Sequence, residues 1–121
     1  MYYPYFRGKQ YELITIRERA ALMAENKIVP IIEPVKDNLS PLKHSIDELT
    51  KHEAKFILVV NPKFGDLKNN PTSLFKDLIN DSLKDSAYLM LGYIVDDNSN
   101  LIDIKDFIHE YKDFSIVLIH H

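Results

Sequence analysis

Arg7, Glu33, Asn61, Tyr93 and His120 are polar side chains that each fall near the end of an apolar run in this sequence. Lys9, Gln10, Lys36 and Lys63 follow just beyond those ends. A guanidinium offers two parallel donors and an ammonium a mobile charge, so Arg7, Lys9, Lys36 and Lys63 are suited to a phosphate or carboxylate. Glu33 and His120 are the types that move protons. The chemistry they spell together is action on an anionic ligand. In that reading Glu33 is the acid/base, Arg7 and Lys9 are the clamp, and Asn61 and His120 are orienting groups. The candidate catalytic residues are thus Glu33 and His120, and the candidate ligand-binding residues are Arg7, Lys9, Gln10, Lys36 and Asn61.

A structural reading of the same residues stands beside it. Glu33 follows Ile31-Ile32 in a run that should be buried, where an unpaired carboxylate is costly. Arg7, Lys9 or Lys36 would then pair with it and fasten the first two strands. The basic groups would be solvated loop charge offset by Asp37 and Asp66.

Other chemistries are poorly served. His120-His121 with Glu33 and Asp96 would give nitrogen and oxygen donors, yet neighbouring strand residues point to opposite sides. His44, His52 and His109 lack the spacing of a helical metal motif, so no metal and no cofactor is expected. No serine sits in a Gly-x-Ser-x-Gly elbow, and the three glycines, Gly8, Gly65 and Gly92, form no phosphate-cradling turn. The aromatic cluster Tyr2, Tyr3, Tyr5 and Phe6 reads as strand packing before it reads as a base-stacking platform.

The elements that would position these residues announce themselves by a repeat. Apolar runs at 28–35, 56–60, 88–95 and 115–119 recur with a helix-like stretch in each gap. That beat is the unit of a parallel α/β sheet. An aromatic strand over 2–6 precedes them, marked by Pro4 as an edge or irregular start. Amphipathic helices are predicted over 10–25, from Ser40-Pro41 with Ser40 as the hydroxyl cap, from Pro71-Thr72 to about residue 83, and over 100–112. Residues 56–60 and 116–119 show no polar alternation, so those strands should be buried on both sides. The string is βαβαβαβαβ, one α/β domain over residues 1–121. It suits an open doubly wound sheet or part of a (β/α)₈ barrel, and composition alone favours the open sheet.

Composition bounds the rest. The 121 residues are 45% hydrophobic and 27% charged, with no cysteine and a net charge of −3. Disulfide and thiolate chemistry is excluded, and a general nucleic-acid binder would be basic. No run is long enough to cross a bilayer, and a cytoplasmic location is the expectation.

The opening Tyr3-Pro4-Tyr5-Phe6-Arg7-Gly8-Lys9-Gln10-Tyr11-Glu12-Leu13, followed by Ile28-Val29-Pro30-Ile31-Ile32-Glu33-Pro34-Val35, resembles the phage T4 beta-protein-like family. Val60-Asn61-Pro62 and Leu118-Ile119-His120 are also similar to its pattern. The resemblance implies a TIM-barrel-like fold, here an N-terminal half-barrel, and no established catalytic activity. Relatives of full length would continue for several further βα units. A half-barrel has open strand edges, which must be covered. The expectation is therefore a non-catalytic interaction protein of phage–host conflict that forms a homo-oligomer or binds a protein partner. The alternative is an enzyme or ligand-binding domain for a small anionic or phosphorylated ligand at the strand ends.

Overall fold

The computed structural model describes residues 1–68, 78–79 and 86–120. Its elements in chain order are β1 (Tyr5–Arg7), α1 (Gln10–Glu25), β2 (Ile31–Glu33), α2 (Ser40–Lys51), β3 (Phe56–Val59), β4 (Leu89–Val95), α3 (Leu101–Glu110) and β5 (Ser115–His120). The helix expected from Pro71-Thr72 lies outside the described residues, apart from Leu78 and Ile79, which are buried.

All five strands are parallel and lie in sequence order, β1-β2-β3-β4-β5. The order has no reversal, the point at which a doubly wound sheet passes its helices to the other face. Side-chain alternation says the same. Ile32, Phe56, Leu58, Leu89 and Leu91 share one hydrophobic cluster with Leu13 and Ile16 of α1, Leu42, Ile46 and Leu49 of α2, and Phe107 of α3. The described helices therefore cover one face, as in a segment of a (β/α) barrel.

The second face carries Tyr5, Arg7, Glu33, Ile57, Val59, Gly92, Ile94 and Ile119, the alternate residues of the same strands. Ile57, Val59 and Ile94 are buried although no described helix covers them. They are buried by one another and by β5. A methyl placed on Gly92 would lie 2.9 Å from both Ile119 Cδ1 and Ile57 Cγ2, so β3 and β5 side chains meet above that glycine.

Local sequence explains the elements. In α1 the buried positions are Leu13, Ile16, Ala20 and Met23, spaced for one helical stripe. Ser45 of α2 is buried and donates its hydroxyl to the Leu13 carbonyl at 2.7 Å, which stitches α2 to α1. Asn100 caps α3 by accepting from the Ile102 N–H at 2.7 Å. Phe107 stacks between Tyr93 and Tyr111, with ring centroids 4.8 and 5.2 Å away.

Three expectations need correction. Ser40 is the first residue of α2, not its cap; Leu39 holds the cap position and Asn38 Oδ1 accepts from the Ser40 N–H. The first strand is short because Pro4 has no N–H for the ladder, although Tyr2 still bridges Ile28. Finally, β5 is not buried on both sides: it is the last strand of the sheet, and Leu118 is 41% exposed.

Gly65 permits the loop after β3 to close on β2. Its φ is +80°, and an added Cβ would lie 2.3 Å from the Val35 carbonyl oxygen, a backbone atom. The Asp66 N–H donates to that same oxygen at 2.8 Å. Gly65→Ala is expected to lower the unfolding free energy by about 2 kcal/mol or more, measured as a shift of the urea midpoint.

Candidate functional site

Glu33 ends β2 on the sheet face that the described helices leave free, and it is 1% exposed. A carboxyl group so placed must find donors. Tyr5 supplies one: its hydroxyl donates to Glu33 Oε1 at 2.6 Å. The loop after β3 supplies the other, the Lys63 backbone N–H donating to Oε2 at 2.7 Å. Both oxygens therefore accept, one from a strand on one side and one from a loop on the other.

This replaces the expected ion pair. Among the described residues the salt bridges are His52–Glu48 and Lys63–Asp96, each at 3.6 Å, and neither involves Glu33. Arg7 is the register partner of Glu33 on β1, yet its guanidinium stacks on the Phe64 ring, 4.0 Å from the centroid. Burial, then the hydrogen bond to Glu33, pushes the Tyr5 hydroxyl pKa upward, while nearby Arg7 opposes the shift.

Tyr5, Arg7, Glu33, Lys63, Phe64, Ile94, Ile119 and His120 line a cleft of about 290 Å³ at the carboxyl ends of the strands. The rim expected from strand counting exists there for Arg7, Glu33 and His120. The other candidates are elsewhere. The Asn61 side chain extends the β3–β4 ladder: its Nδ2 donates to the Ile94 carbonyl at 3.0 Å, and its Oδ1 accepts the Ile94 N–H at 2.8 Å. One N–H and the carbonyl oxygen of this amide are thus committed to the neighbouring strand, and Asn61 does not line the cleft. Gln10 and Lys36 line a separate hollow with Gly8, Leu13, Asp37, Asn38 and Pro41. Lys9 sits at the cap position of α1 and lines neither space. Tyr93 turns to the helix side, where it meets Phe107.

The loop charges are partly paired. Lys63 Nζ approaches Asp96 Oδ2, and the Asn98 N–H, foremost, with Lys63 and Ser99, holds the Asp96 carboxyl below the usual carboxylate range. Asp66 Oδ2 accepts from the Asp37 N–H at 3.3 Å. Among the described residues no three metal-ligating side chains gather. His121 lies outside them.

Sequence reasoning missed Tyr5, Phe64 and the Lys63 N–H. Tyr5 had a signal: it is two residues before Arg7, hence on the same side of the strand. The other two belong to a loop, and only the fold brings them across to Glu33.

No protein-family model, no curated protein and no solved structure matches the chain.

Tyr5→Phe leaves a buried Glu33 oxygen without its donor and is expected to cost about 1–3 kcal/mol in urea unfolding at neutral pH. A raised hydroxyl pKa in the folded state means that this stability is complete below the ordinary tyrosine value. It declines as pH rises past about 10 toward the folded pKa. The difference between the native chain and Tyr5→Phe should therefore shrink in alkaline unfolding series.

Proposed function

We propose that this protein works by association, pairing through the outer edge of β5 with a second copy of itself. The observation that carries the reading is that β5 is the longest strand but one, apolar along its middle, and open along one side among the described residues. An unpaired edge of this kind presents a row of free backbone donors and acceptors and must be blunted or covered. The protections used by monomeric sheets are missing from β5: Ser115-Ile116-Val117-Leu118-Ile119-His120 has no proline, lysine or inward charge.

The pattern also favours a like partner. Polar Ser115 and His120 flank four apolar residues, so two β5 strands paired antiparallel about a two-fold axis place apolar on apolar along their middle. The opposite edge is less suited, being three residues long and preceded by Pro4. On α3, the helix that leads into β5, Leu101, Ile102 and Ile108 are exposed as well. The phage–host conflict setting in this proposal draws on the family resemblance, and the cytoplasmic one on the cysteine-free composition.

A second reading, a rim acting on an anionic ligand, is favoured by the convergence of Arg7, Glu33 and His120 in one cleft.

Light scattering of the full chain at micromolar concentration is expected to return twice the 14.1 kDa chain mass. Leu118→Lys, a change at an exposed position, should return the single mass with unchanged helical circular dichroism. A monomeric native chain overturns the proposal.

A further inference from the structure

The cleft at the strand ends has a definite charge balance. Lys63 Nζ is directed to Asp96, and both Glu33 oxygens are occupied by donors. Arg7 is different. Among the described residues it has no acidic partner and no side-chain hydrogen bond, and its guanidinium carbon lies over the Phe64 ring, 4.0 Å from the centroid. Among the described residues the cleft thus offers one available cationic fork, Arg7. Phe64, Ile94 and Ile119 give the same cleft an apolar wall.

We propose that this cleft binds a small organic monocarboxylate, its carboxylate on the Arg7 guanidinium and its apolar body against Phe64 and Ile119. The reading narrows the second one above to a ligand class and is independent of self-association. Geometry selects the headgroup: a guanidinium edge matches the two oxygens of a carboxylate with parallel N–H···O bonds. Charge selects against a dianion. Glu33 is in register beside Arg7 and both of its oxygens accept, so a second negative charge on the ligand would face the acceptor oxygens of a buried carboxyl. Size limits the body. About 290 Å³ holds a single ring or a short branched chain. Phe64 carries Arg7 over its ring and is still 43% exposed, which leaves apolar surface for such a body.

His120 closes the cleft on the β5 side. Its neutral or protonated imidazole can donate to a carboxylate oxygen, which makes it a positioning group for the ligand and not the main source of charge.

The test is a titration of the isotopically labelled full chain by NMR with benzoate, acetate, benzamide and inorganic phosphate. Benzoate is expected to shift the Lys63 and Phe64 amides saturably, and benzamide is not. Arg7→Gln, an exposed change, should weaken benzoate by about tenfold or more while the spectrum stays that of a folded protein. Phe64→Ala should weaken benzoate several-fold and leave acetate unchanged. Saturable phosphate binding at Arg7 without benzoate binding overturns the carboxylate assignment and keeps an anion site. Failure of both anions to bind, or benzoate binding indifferent to Arg7→Gln, overturns the anion site as well.

Discussion

The carboxyl group of Glu33, shut away from water with a donor on each oxygen, ties three successive strand units together. Tyr5 reaches it from β1, Glu33 itself ends β2, and the Lys63 N–H arrives from the loop after β3. Each partner is needed because a buried oxygen left without a donor costs more than the net gain of an average hydrogen bond. The constraint then propagates. The Lys63 N–H reaches Glu33 in a loop that closes on β2 two residues later at Gly65, whose backbone no side chain could follow against Val35. With the backbone fixed at residues 63–66, Phe64 lies under the Arg7 guanidinium and the Lys63 side chain extends to Asp96. The cleft is shaped by the same contacts that satisfy one carboxyl.

The sheet separates structure from surface by parity. Odd and even residues of one strand serve opposite purposes: Ile32 and Phe6 pack toward helices, whereas Glu33, Tyr5 and Arg7 face the side the described helices leave free. Asn61 adds a polar continuation to the ladder where β3 ends, and so holds Ile94 in the cleft wall. Gly92 plays the complementary part. It leaves room above β4 into which both Ile57 and Ile119 reach, which gives the face left free by the described helices a small apolar floor of its own.

The repeat of strands and helices was legible because apolar runs and amphipathic stripes are local properties, and the limits of α1, β4 and β5 fall within a residue or two of the expected ones. The position of Glu33 in a buried strand was legible too. Its partners were not. A carboxylate in a sequence invites a search for opposite charge, but the donors here are a neutral hydroxyl and a backbone N–H, and peptide groups carry no sequence signature. Asn61 and Tyr93 were placed on the rim by counting, and tertiary packing reassigned both: one to a neighbouring peptide, the other to an aromatic stack. An apolar run such as Ile116-Val117-Leu118-Ile119 reports that burial is wanted, not what supplies it, and β5 looks the same in sequence whether central or last.

The uninterrupted strand order bears on how the chain reaches this state. Every ladder joins a strand to the one made just before it, so no segment has to wait for a distant part of the chain or slip between two strands already paired. During synthesis each unit can dock on its predecessor as it leaves the ribosome, and ordering can advance from the N-terminus in step with elongation.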